Sequence, residues 1–114
     1  MSLVEKLMES AKADTDLLHS LNSQGDNFST PRDVDFLLRA PSKEKADIAA
    51  GFINDYQFGI AAPQEHNGQY SVQVVINMAI QQQAILSVSG FMGCICALFG
   101  LEYDGWGCVA QRHS

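Results

Sequence analysis

Residues 58–78 read FGIAAPQEHNGQYSVQVVINM, and this run decides the fold. Asn67 and Gly68 sit near its centre. Both residue types tolerate positive φ, which the tight turns between adjacent antiparallel strands require. After the turn, Val72, Val74, Ile76 and Met78 fall on one side and Gln73 and Asn77 on the other. That period of two marks a strand with one buried face. Before the turn, Gly59 leads the chain into a shorter strand over residues 58–64. The run is therefore expected to be a β-hairpin.

Working outward, Pro41 separates two elements on the N-terminal side. Ser42 caps a helix that runs to about Tyr56, with Ala46, Ala49, Phe52 and Ile53 on its buried side. Lys43 and Asp47 can pair across one turn of it. Ahead of Pro41, Arg32 to Ala40 reads as a strand. Val34, Phe36 and Leu38 point one way, while Asp33, Asp35, Leu37 and Arg39 point the other. Beyond the hairpin, a helix spans about Gln82 to Phe99. Its core stripe is Ile85, Val88, Met92, Ile95 and Phe99, and Gly100 is its stop. Leu101 to Ala110 is the last strand. The chain opens with a helix from Ser2 to about Asn22, where Ser2 and Glu5 form a capping box and Gly25 ends it. Leu3, Leu7, Ala11, Leu18 and Leu21 give this helix an apolar face. Removing it leaves β-α-β-β-α-β, the ferredoxin-like order. The expected architecture is α+β, one domain over residues 1–114. A four-stranded antiparallel sheet carries helices on one face, with an additional N-terminal helix.

Composition restricts the function. Among 114 residues, 46% are hydrophobic, enough for a packed core. Thirteen acidic residues against seven basic ones give a net charge of -6. That balance opposes direct nucleic-acid binding, which needs clustered Lys and Arg, and binding to an anionic membrane surface. It permits a basic protein partner. No charged residue occurs between His66 and Leu101, and residues 84–101 approach the length of a membrane span. Ser87, Ser89, Gly90, Gly93 and Gly100 dilute that run, so no membrane association is expected. Glu5, Lys6 and Glu9 interrupt any apolar leader, which makes the cytoplasm the expected compartment.

Catalytic constellations are not found. His19, His66 and His113 lie in the first helix, the hairpin loop and the C-terminus, away from any nucleophile motif. Cys94 and Cys96 project about 200° apart on a helix and cannot readily share an ion. With Cys108 on a strand, zinc spacing is not met. No strand runs into a glycine-rich phosphate loop. Arg32 lacks the glycine-rich cradle that acylphosphatase chemistry needs. The expectation is no catalytic residue, no metal and no cofactor. A small-molecule-sensing or dimeric regulatory domain of the same topology is the alternative to a protein-binding regulator.

The most unusual segment is residues 101–107, LEYDGWG. It sets the only tryptophan between two glycines in a β-forming stretch, which suggests a bulge. Trp106 can cover the edge of the core, and Tyr103, Asp104 and Trp106 can form part of a protein-binding surface. This segment resembles the closing motif of the bacterial regulators of ribonuclease E activity, the B family. The helix ending at Gly25 and Asp26, the strand from Val34 to Leu38, the Ala-rich helix and the run from Tyr56 to Gly59 follow in family order. The resemblance implies a ferredoxin-like sandwich that is not an enzyme. It also implies ribonuclease E as partner, bound through its scaffold region to damp transcript decay. One further expectation concerns the third helix, whose outer side is small and uncharged at Ser87, Gly90, Cys94 and Ala97. Small residues at helical spacing let another helix approach. The cover is expected to be the first helix, through Leu3, Leu7, Leu18 and Leu21, or a symmetry mate in a two-fold homodimer.

Overall fold

The structure of the chain, a computed structural model, describes residues 2–111. The elements are α1 (Leu3–Ser23), β1 (Arg32–Ala40), α2 (Lys43–Asp55), β2 (Ile60–His66), β3 (Gln69–Met78), α3 (Gln82–Phe99) and β4 (Glu102–Cys108). All three strand pairs are antiparallel and the sheet order is β2-β3-β1-β4. This is the ferredoxin-like arrangement, with α1 added ahead of it.

Local chemistry explains each boundary. The Ser2 hydroxyl accepts from the Glu5 amide at the start of α1, and the Ser42 hydroxyl accepts from Lys45 at the start of α2. Asn67 and Gly68 both take positive φ, 52° and 79°, and close the β2–β3 hairpin. Strand β2 begins at Ile60, two residues later than expected. Gln57 adopts a left-handed φ of 59° while the Gln57 and Phe58 amides donate to the Asn54 and Ile53 carbonyls. That hydrogen-bonded cap holds Phe58 at the end of α2, so it cannot join the ladder. His66 consequently belongs to the end of β2, paired with Gln69. Strand β4 stops at Cys108 instead of Ala110. Past that point the Gln111 amide donates to Asp26 and its carbonyl accepts from Asn27, drawing the chain out of the sheet.

The inner sheet face and the helices enclose the core. Val34, Phe36, Leu38, Val72 and Val74 meet Ile53 from α2 and Ile85, Met92 and Ile95 from α3, all essentially solvent-free. Helix α3 is long and apolar enough by composition to cross a membrane. In this fold its inner stripe is instead packed on the sheet.

Helix α1 departs from its expected packing in two ways. Leu18 and Leu21 are buried, but Ala11 is exposed and Leu3 is 42% exposed. Its first half borders a groove, with Leu3 and Leu7 among the lining residues. The helix does pack on α3, meeting it at Gly93, where a Cβ would come within 3.2 Å of Leu7 Cδ2. It does not cover the expected stripe. Ser87 and Ala97 remain exposed, and Gly90 and Cys94 are half-buried. The reason is polar: Asp14 of α1 bonds to β4, which places the helix over the β4 side of α3.

Candidate functional site

Strand β4 is an edge strand, and the sequence LEYDGWG occupies it together with the residue before it. Its register against β1 shifts between Phe36, which faces Trp106, and Leu38, which faces Tyr103. Asp104 and Gly105 therefore oppose Leu37 alone. Gly105 takes φ 90°, a region L side chains enter only under strain. The bulge expected at these glycines is present.

The bulge sorts the motif onto different surfaces. Tyr103 and Trp106 turn inward. The Tyr103 hydroxyl lies 2.7 Å from Ser89 Oγ on α3. Trp106 is 9% exposed, and its indole N–H donates to Asp14 Oδ1 on α1 at 2.9 Å. Asp104 turns outward and accepts from Arg39 Nη2 at 3.0 Å in an exposed ion pair. Of the three motif residues singled out as a protein-binding surface, the structure leaves Asp104 exposed, Tyr103 half-buried and Trp106 buried. Ser87, Gly90, Cys94 and Ala97 lie on α3, away from β4 except for Ala97. That residue lines the same groove as Tyr103 and Asp104.

Two depressions flank β4, and Asp104 and Gly105 line both. One is the α1–α3–β4 groove, about 460 Å³. The other is a shallower hollow of about 400 Å³ on the helix-free sheet face, where Gly105 and Gly107 leave space beside Asp35, Leu37 and Gln73. That face is held by side-chain amides. Gln64 donates to Gln73, Gln73 to Asp35 and Asn77 to Asp33, over 2.8–3.2 Å.

Two buried polar pairs escaped the sequence reading. Arg32 donates twice to Asp26, Nη1 to Oδ2 at 2.7 Å and Nη2 to Oδ1 at 2.9 Å, with both side chains almost wholly buried. The second is Asp14 with Trp106. Burial pushes the Asp14 carboxyl up, and hydrogen bonds from Ser89 and Trp106 pull it part of the way back. A carboxyl whose pKa is raised by folding holds its proton more tightly in the folded state. Its contribution thus favours folding at acid pH and is lost as the pH rises through the raised pKa. Asp14→Asn keeps an acceptor for the indole and removes the titration. The stability difference, wild type minus variant, is expected to fall as the pH is raised from about 4, the ordinary carboxyl range, in urea titrations. A flat or rising difference would show that burial does not penalise this carboxylate.

An aromatic cluster also emerges only in three dimensions. Phe52 stacks near Tyr56, Phe58 and Phe99 at 5.1–5.7 Å, and Phe58 meets Phe91 at 4.8 Å. Nucleophile chemistry gains no support: burial pushes the Cys96 thiol up to about 12, and Cys108 is raised for the same reason. Among the described residues no group of three or more His, Cys, Asp or Glu side chains could hold a metal ion.

The fold and this edge-strand motif define a ferredoxin-like domain whose distinctive residues sit at a surface groove. The chain belongs to the Regulator of ribonuclease activity B family, whose model matches residues 11–108. No curated protein matches the chain. The matched span runs from the first half of α1 through the end of β4; it contains Asp14 and the motif strand, while Leu3, Leu7 and Glu9 of the groove lie ahead of it.

Proposed function

We propose that this chain is a non-enzymatic regulator that acts in the cytoplasm by binding ribonuclease E. The observation that carries this reading is the family match over residues 11–108, which include all four strands and the motif. The mechanism is occupancy: the domain covers a segment of the nuclease scaffold and slows transcript cleavage without touching RNA. The net charge of -6 accords with a protein rather than a nucleic-acid partner. Asp104, exposed at the bulge of β4, is the motif residue best placed to meet that partner.

Affinity capture from a bacterial lysate, with this chain as bait, tests the proposal. Ribonuclease E is expected among the recovered proteins, and its cleavage of a transcript should slow when purified chain is added. Failure of both would overturn the reading. Asp104→Ala is expected to weaken recovery while shifting the urea midpoint by no more than about 1 kcal/mol equivalent, the usual worth of an exposed ion pair. Unchanged recovery would remove Asp104 from the contact surface.

A further inference from the structure

The groove between α1, α3 and β4 carries more chemistry than a general docking surface needs. Its volume, about 460 Å³, lies within the roughly 300–1,000 Å³ range of pockets that enclose ligand groups. Its apolar lining comes from Leu3 and Leu7 on one side and Gly93 and Ala97 on the other. Its charged lining is lopsided. Among the described residues that line it, Lys6 is the only cation, against Glu9, Asp14, Glu102 and Asp104. Asp104 is already matched by Arg39 outside the groove. Glu9 and Glu102 are exposed and have no ion-pair partner among the described residues. Asp14 lines the same groove but is buried and engaged by Trp106.

From this charge complementarity we propose that the groove receives a short amphipathic segment of a partner protein that carries arginine or lysine beside an aliphatic side chain. The proposal rests on the reading that the partner is a protein, and it names the part of that partner that docks. The aliphatic side chain packs on Leu7, Gly93 and Ala97. The cation meets Glu9 and Glu102 at the rim, where a guanidinium can engage a carboxylate through two N–H donors. The overall negative charge of the domain adds long-range attraction for such a segment.

Two short synthetic peptides test this against the full chain by amide NMR. One alternates arginine with leucine, and the other carries glutamate in place of arginine. The arginine peptide is expected to shift the amide signals of Gly93, Tyr103 and Gly105, and to bind at least about tenfold more tightly than the glutamate peptide. Glu9→Gln combined with Glu102→Gln is expected to weaken it about tenfold, a difference of about 1.4 kcal/mol. The urea midpoint should not move, because both side chains are exposed. Ala97→Lys, also at an exposed position, should act in the same direction. Equal binding of the two peptides would overturn the proposal. So would variants within about twofold of wild type, or shifts confined to the helix-free sheet face around Asp35 and Gln73. If ribonuclease E is captured equally by wild type and the double variant, the groove assignment fails and the regulator reading stands. If the arginine peptide binds as expected but the nuclease is not captured, the regulator reading fails and the groove assignment stands.

Discussion

Replacing Arg32 by Ala should cost about 3–5 kcal/mol, the usual penalty for removing one partner of a buried ion pair. The side chain is almost wholly buried, and its guanidinium does more than pair with Asp26. Nη2 also donates to the Asn27 carbonyl at 2.8 Å and Nε to the Thr30 carbonyl at 3.2 Å. A longer contact of 3.4 Å reaches the Val109 carbonyl beyond β4. Asp26 in turn accepts from the Gln111 amide. One arginine therefore fastens the α1–β1 loop, the start of β1 and the segment after β4. Domains of this size are stable by only about 5–15 kcal/mol, so the variant should lose a large share of its folded stability. Arg32→Lys keeps a charge but not the fork, and should still be clearly destabilised. Urea unfolding followed by circular dichroism measures both. A loss under about 1 kcal/mol for the alanine variant would mean that water replaces the guanidinium at little cost.

How much of this was legible in the sequence depends on the kind of contact. The hairpin at Asn67 and Gly68, the alternation of Val34, Phe36 and Leu38, and the stop at Gly100 all follow from local rules. Turn chemistry and apolar period act within a few residues, and the structure obeys them. The polar contacts were not legible in the same way. Asp14 and Trp106 are 92 positions apart, and no local pattern records that α1 and β4 meet. A signal nevertheless existed. Arg32 stands in phase with Val34, Phe36 and Leu38, and Asp14 stands in phase with Leu7, Leu18 and Leu21. A charged residue at an apolar position of a repeating pattern needs a buried partner. The same omission explains the misplaced cover of α3. Counting only leucines set α1 over Ser87 and Cys94, whereas the Asp14–Trp106 bond sets it toward Gly93 and Tyr103.

Trp106→Ala should be the most damaging change in β4, at about 3–5 kcal/mol for truncating a buried aromatic. Two losses combine in it. The indole faces Phe36 across the sheet and belongs to the core cluster, so its removal leaves a void between β4 and the helices. The Asp14 carboxylate also loses its indole donor in a site that already disfavours its charge. Trp106→Phe separates the two, since it keeps most of the packing and deletes only the hydrogen bond. It should cost less, about 1–3 kcal/mol. A midpoint shift under about 1 kcal/mol equivalent for the alanine variant would place the indole outside the core. The phenylalanine variant also divides the motif by role. At temperatures where it remains folded, it should capture ribonuclease E as well as wild type, because a side chain 9% exposed offers a partner little surface. Asp104→Ala should do the reverse, folding normally and capturing poorly. If Trp106→Phe instead folds normally and loses capture, the indole itself contacts the partner, and β4 must open on binding to present it.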